Sequence, residues 1–338
     1  MGARRWRISL GLALSAALTW LAVRGIQFSE LRQLLQAVDL RALLITAVLT
    51  YLVVWVRALR WRLMLLALGP TSRGEAFRAS IIGYTVNYLV PVRVGEIVRA
   101  YLVATHEGFG RSAALATVIV ERMVDLFSVL LIFAYVMLSD YPRGDAQFES
   151  VLRGSAAGFM VIGGLLLGAL WVLRRHRALL TRKIQAFGDR HLHGLARQAW
   201  RVEAFADGIV LTGSYGRIFL FISFTIIIWI GTVGQIKILA DSFNLGISWA
   251  TSCILLVSLA IGVSLPSAPG LIGTYHYAAI VVLLGYNIPR AQGVAYAVVL
   301  HAGNVLPVLA LGLYFLWTQG LSVRALIHLK DSAVGKSR

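Results

Sequence analysis

The chain of 338 residues contains a single cysteine, Cys253, which excludes an intrachain disulfide and any cysteine-based metal site. Charge is also scarce. Asp, Glu, Lys and Arg make up 14% of the residues, against roughly 25% in a typical soluble domain. Acids are scarcest, with 15 Asp and Glu against 32 Lys and Arg and a net charge of +17. The chain has no Gly-rich loop ending in Lys for nucleotide phosphates, no His-Glu-x-x-His and no Gly-x-Ser-x-Gly. No metal and no cofactor is therefore expected. What the chain has in abundance is apolar residues, 58% by count, with a mean hydropathy of +0.76. A basic nucleic-acid binder shares the sign of the charge but not this hydropathy, and disordered chains have the reverse composition. The composition is that of an all-α polytopic membrane protein without a nucleic-acid partner.

A helix crossing the roughly 30 Å hydrocarbon core needs about 20 mostly apolar residues. Six long spans are expected, at 8–23, 42–59, 112–138, 155–173, 217–239 and 291–317. The first follows Arg4, Arg5 and Arg7 but runs long for a signal peptide, and Ala22-Val23-Arg24 is a poor cleavage site, so it is taken as an uncleaved anchor. Basic residues concentrate in alternate stretches. The segment before the first span carries +3, residues 57–78 carry +4, the basic loop 174–217 carries +6 and the tail from 318 carries +3. The stretches 24–41, 139–153, 240–248 and 286–290 cancel to zero. The excess of Lys and Arg on one side predicts that both termini face the cytoplasm. The loop 174–216 is too short for an ATPase or acyltransferase domain, so any transport would be ion-coupled or downhill.

Two further apolar regions are interrupted. Residues 76–104 break at Pro91 and Gly95, and residues 247–285 break at Pro266, Pro269, Gly270 and Gly273. The flanking pieces, about 11 to 16 residues, are short for a full crossing and suit re-entrant or half-helices, which survive at membrane depth only when buried in protein or lining a wet cavity. Each region follows a long span, carries a Pro-x-x-x-Gly element and leads into another long span. The predicted organisation is one integral membrane domain with a first repeat unit at 42–138 and a second, inverted unit at 217–317. Inverted repeats with matched broken helices are a layout of secondary transporters, whose sites lie near the midplane.

Ionisable residues at that depth need a partner or a purpose, since each costs at least ~2.5–3.5 kcal/mol on insertion scales. Around the first break stand Arg93, Glu96 and Arg99, with Glu96 and Arg99 at i,i+3. Span 112–138 holds Glu121, Arg122 and Asp125, with Arg122 and Asp125 at i,i+3. One reading is a neutral structural network. The other has Arg93 and Arg122 holding a lipid phosphate bidentately while Glu96, Glu121 and Asp125 position them. The second half carries softer groups: Gln235 and Lys237, Tyr275 and His276 after Gly273, and His301 with Asn304 one turn later. Lys237 lies near the outer end and is expected to snorkel.

Three segments carry a family resemblance: NYLVPVRVGEIVRAYL from Asn87 to Leu102, Glu121-Arg122-x-x-Asp125, and PSAPGLIGTYHYAA from Pro266 to Ala279. They resemble the flippase-like membrane region of lysylphosphatidylglycerol synthases, over roughly 10–320. The resemblance implies a membrane-embedded lipid translocase fold with two inverted repeats and re-entrant helices. It also marks departures: many members have Glu where this chain has His276, and often Arg where His301 stands. The aminoacyl-transferase domain of full synthases is expected to be absent. The expected function is a flippase of a bacterial inner membrane, moving a polar, phosphate-bearing lipid or lipid-linked intermediate. Substrate-binding candidates are Arg93, Glu96, Arg99, Glu121, Arg122, Asp125, Tyr275, His276, His301 and Asn304, with the two histidines serving the opposite gate. The alternatives are a membrane transferase acting on a polyprenyl-phosphate lipid and a scaffold for envelope assembly.

Overall fold

The computed structural model describes residues 2–90, 94–139 and 215–321, together with 144, 148–150 and isolated positions from 154 to 175. The expected span 155–173 and the basic loop 174–216 lie almost wholly outside the described residues, as do Pro91 and Arg93. Among the described residues every regular element is helical. In order they are α1 (Gly2–Val23), α2 (Phe28–Gln36), α3 (Leu40–Leu65), α4 (Arg73–Leu89), α5 (Gly95–Glu107), α6 (Arg111–Leu138), α7 (Tyr215–Ser242), α8 (Trp249–Ser264), a 3₁₀ turn (Pro269–Leu271), α9 (Thr274–Gly285) and α10 (Arg290–Thr318).

Three of these, α3, α7 and α10, are long and apolar enough to cross a membrane, and α1 with α2 would make a fourth although the two are bent by 87°. Helix α6 is 28 residues long but carries Glu121, Arg122 and Asp125 near its middle. Leu44, Val48 and Leu52 on α3, and Ile222, Ile226 and Ile230 on α7, form exposed apolar rows at i,i+4 spacing. Such rows on the outside of a bundle fit a hydrocarbon solvent.

Two sequence expectations need correction. The second span does not end at residue 59. No Gly or Pro interrupts residues 40–68, and α3 runs six residues further, to Leu65, before Gly69-Pro70. Arg57 and Arg60 are therefore helical residues, and Arg60 is fully buried. The stretch 24–41 is also more than a loop, because it contains α2.

Local chemistry fixes the helix ends. Asp39 caps α3 by accepting from the Arg41 N–H at 2.8 Å, Ser72 caps α4 through the Glu75 N–H at 3.0 Å, and Ser248 caps α8 through the Thr251 N–H at 3.0 Å. Between the helices, small residues and polar hydrogen bonds add close crossings to apolar clusters around Leu255 and Leu283 and around Trp61 and Leu65. A Cβ on Gly95 would lie 1.8 Å from the Gly83 carbonyl oxygen, so α4 and α5 cross at backbone contact. A Cβ on Gly262 would meet both Ala278 Cβ and the Thr274 carbonyl oxygen at 2.7 Å, the same kind of crossing between α8 and α9. Gly273, at φ +89°, lets the second break approach the Ser15 carbonyl of α1. Ser15 Oγ accepts the Ala268 N–H at 2.7 Å, satisfying a break residue at that approach.

The partners repeat along the chain. Helix α3 packs on α4 as α7 packs on α8, α5 on α6 as α9 on α10, and α4 on α10 as α8 on α6. Helices α3 and α7 form the most extensive pair. There the Gln235 side chain donates to the Thr46 carbonyl at 3.0 Å and to Thr50 Oγ1 at 2.8 Å.

Candidate functional site

The charged residues of α3, α5 and α6 close into a ring of alternating sign. Arg60 donates to Glu121 at 3.2 Å and to Asp125 at 2.6 Å. Glu121 reaches Arg99 at 2.8 Å, and Arg99 reaches Glu96 at 2.8 Å. Glu96 continues to Arg122 at 3.3 Å, and Arg122 returns to Asp125 at 3.5 Å. The pairs Glu96–Arg99 and Arg122–Asp125 are the i,i+3 contacts within α5 and α6. Arg60 ties both α6 acids to α3, while the Arg99 guanidinium lies 4.8 Å from the Trp61 ring centroid.

The ring is neutral, with three guanidinium groups against three carboxylates. Arg57 is added to it, 3.1 Å from Asp125 and 5.3 Å above the Trp229 ring. The seven-residue cluster thus carries one surplus positive charge. Burial divides the cluster into two parts. The side chains of Arg60, Arg99 and Glu121 are 0–1% exposed, while Arg122 is 36% and Arg57 15% exposed. A buried pair that loses one partner leaves an uncompensated charge costing about 3–5 kcal/mol, so the inner part is held rigidly. The outer part faces open space.

That space is a cavity of about 780 Å³. Arg57, Glu96, Arg122 and Asp125 line one end. Thr50, Gln235, Tyr275, His301 and Asn304 line the other, and apolar side chains from α3, α6, α7, α8 and α10 form the walls between. Among the described residues Tyr84 Oη, Trp229 Nε1 and His301 Nε2 have no hydrogen-bond partner, and all three residues line this space. Unsatisfied donors and acceptors around one cavity mark it as wet or ligand-filled.

Pro307 shapes the neutral end. Lacking an N–H, it leaves the Gly303 carbonyl of α10 without its helical donor. Thr50 Oγ1 stands 3.1 Å from that oxygen and 3.4 Å from Asn304 Oδ1. Tyr51 donates to the Pro307 carbonyl at 2.9 Å and Thr85 to the Val308 carbonyl at 3.2 Å. On the same helix, His301 joins Tyr275 and His276 in an aromatic cluster, 4.6 Å from Tyr275 and 4.8 Å from His276 between ring centroids.

The structure thus gathers Glu96, Arg122, Asp125, Tyr275, His301 and Asn304 around one space. It places Arg99 and Glu121 behind the wall as partners of the lining residues, and His276 behind His301. Lys237 is paired with Asp241 on the next turn of α7. Among the described residues no group of His, Cys, Asp and Glu is disposed to hold a metal ion.

The model of the family described as the lysylphosphatidylglycerol synthase TM region matches residues 8–312. The chain belongs to that family. As a member of the lysylphosphatidylglycerol synthase TM-region family with several long apolar helices, it is a multi-pass membrane protein. The chain is also similar to the glycosyltransferase AglD of Haloferax volcanii, 33% identical over 128 residues. That match spans 37% of this chain and 20% of the length of AglD.

Sequence reasoning about this member of the family missed Arg57, Arg60, Tyr84 and Trp229. A signal for the two arginines was present. The apolar run Trp61 to Leu68, interrupted only by Arg62, follows them with no turn residue before Gly69, so the helix had to continue past them.

Proposed function

We propose that the protein translocates an anionic lipid, or a lipid-linked intermediate, between the leaflets of a bacterial inner membrane. The observation that carries this reading is the cavity of about 780 Å³ with the surplus cation Arg57 and the accessible Arg122 at one end. A guanidinium pair at an apolar-walled space suits a phosphate ester whose hydrocarbon tail stays in lipid. The neutral ring holds both arginines in place, so the anion does not have to organise them. The repeated packing of α3–α6 and α7–α10 supports two repeat units with the cavity at their interface, and the charge asymmetry of the loops supports inversion with both termini cytoplasmic. On this reading α1, α6 and the segment 155–173 also cross the bilayer, and the pairs α4–α5 and α8–α9 are re-entrant. Membership of the family, with its lipid-related membrane role, agrees with a lipid substrate.

The name of AglD favours a second reading, a membrane transferase acting on a polyprenyl-phosphate lipid. Against it, both carboxylates lining the cavity, Glu96 and Asp125, are engaged by arginines, which leaves neither free as an acid or base.

Reconstituted vesicles decide between them. With a fluorescent anionic phospholipid, the protein is expected to speed exchange between leaflets, and Arg57→Gln or Arg122→Gln to slow it at least tenfold while the fold is retained. Wild-type rates in both variants overturn the assignment. A covalently altered lipid after incubation favours the transferase.

A further inference from the structure

The two ends of the cavity differ in kind, and the difference bears on what the headgroup is. Among the described residues, every charged side chain that lines the space lies at the α3–α5–α6 end: Arg57, Glu96, Arg122 and Asp125. Among the described residues, the opposite end is built only of neutral hydrogen-bonding groups, from Thr50, Gln235, Tyr275, His301 and Asn304. Thr50 and Arg57 are seven residues apart on α3, so the ends are separated by about 10 Å along the helix axis.

The neutral end has hydrogen-bonding capacity to spare. His301 is only 9% exposed, yet among the described residues its Nε2 has no partner, and the residue lines the cavity. Tyr275, 8% exposed, lies 4.6 Å from it between ring centroids with the rings tilted by 30°, and its hydroxyl interacts with the Asn304 side chain. Asn304 spends its Nδ2 on the Leu300 carbonyl at 2.8 Å, which leaves Oδ1 facing the Thr50 hydroxyl. Such a set satisfies hydroxyl groups, each of which both donates and accepts. It offers no carboxylate to an ammonium group. The carboxylates at the other end are already bound to arginines, and a cation there would meet the surplus charge of Arg57.

We propose that the lipid is a phosphate ester carrying an uncharged, hydroxyl-bearing headgroup, a polyol or a sugar, rather than an amine-bearing one. Its phosphate lies at Arg57 and Arg122, and its hydroxyls at Tyr275, His301 and Asn304. This rests on the reading of the cavity as a lipid-headgroup site, but not on movement of the lipid between leaflets.

The test uses the purified full-length protein in nanodiscs and three lipids that separate the features. Phosphatidylinositol has both the phosphate and the polyol, phosphatidylethanolamine has the phosphate and an amine, and glucosyl-diacylglycerol has the sugar without the phosphate. Native mass spectrometry is expected to find phosphatidylinositol retained at least tenfold more than either of the others. His301→Ala and Tyr275→Phe are expected to erase most of its advantage over phosphatidylethanolamine while leaving its advantage over glucosyl-diacylglycerol, and His301→Gln to restore part of what His301→Ala loses. If a variant does not fold, the three-lipid comparison on the unaltered protein decides by itself. Equal retention of phosphatidylethanolamine, equal retention of glucosyl-diacylglycerol, or no retention of any of the three overturns the proposal. Selective retention without exchange between leaflets supports it and overturns the transport reading instead.

Discussion

At the scale of single residues, the ion-pair ring separates structural from functional charge by exposure. Glu121 is fully buried between Arg60 and Arg99. Glu121→Gln leaves each guanidinium with one acid instead of two, Arg60 with Asp125 and Arg99 with Glu96. The expected loss is about 3 kcal/mol, the low end for a broken buried pair. Arg122 is 36% exposed as a side chain, and both of its acids keep other arginines, Glu96 with Arg99 and Asp125 with Arg60 and Arg57, so Arg122→Gln is expected to cost less than Glu121→Gln. Thermal unfolding in detergent checks this ranking, and the vesicle exchange assay is expected to rank the two in the opposite order. A larger stability loss for Arg122→Gln than for Glu121→Gln would reverse the division drawn between inner and outer charge. The pairs Glu96–Arg99 and Arg122–Asp125 were legible in the sequence because i,i+3 spacing on one helix fixes proximity. The closure of the ring through Arg60 was not, because it depends on the register of α3 against α6, which no local spacing encodes. Charges at the edge of an apolar run also look like the basic flank that topology alone demands, and that hid Arg57 and Arg60.

At the scale of elements, the Pro and Gly positions announced the breaks, and the glycines turn out to serve close crossing as much as flexibility. Gly95→Ala would drive a Cβ into the Gly83 carbonyl, and the backbone cannot yield there as a side chain would. It is expected to part α4 from α5 and to lower the thermal midpoint, whereas Gly74→Ala, with nothing within 4 Å, is expected to be neutral or slightly stabilising. What the sequence could not disclose is how the carbonyl freed by Pro307 in α10 is satisfied. Thr50 Oγ1 lies 2.9 Å from the Thr46 carbonyl and 3.1 Å from the Gly303 carbonyl, which Pro307 leaves without its helical donor. Pro307→Ala restores the helical N–H, so Thr50→Val should cost less in that background than in the wild type. A double-mutant cycle is expected to give a coupling of about 0.5–1 kcal/mol between residues that are far apart in sequence. Strict additivity would mean that Thr50 acts only through the Thr46 carbonyl and Gln235.

At the scale of the whole molecule, the corrected helix ends test the orientation argument rather than undermine it. With α3 ending at Leu65, Arg57, Arg60 and Arg62 all lie within the helix, and the stretch after it falls from +4 to +1, with Arg73 and Arg78 against Glu75. The basic loop 174–217 and the two termini are untouched, and the alternate stretches still cancel. On the proposed topology the same asymmetry sets the two repeat units antiparallel in the membrane, which the matching packing partners alone cannot decide, since a parallel repeat would show the same pairs. The turns that decide it are exposed: Thr105 at the end of α5, and Pro289 at the start of α10. They occupy corresponding places in the two units, each between the second half of a broken pair and the long helix that follows. A single native thiol, Cys253, makes the experiment clean once it is replaced by Ser. In right-side-out vesicles a membrane-impermeant maleimide is expected to label Pro289→Cys and to leave Thr105→Cys unlabelled until the membrane is opened. Labelling of both from one side would make the repeats parallel. The cavity would then no longer be approached from opposite faces by the two breaks, and alternating exposure of Arg122 and His301 would lose its structural basis.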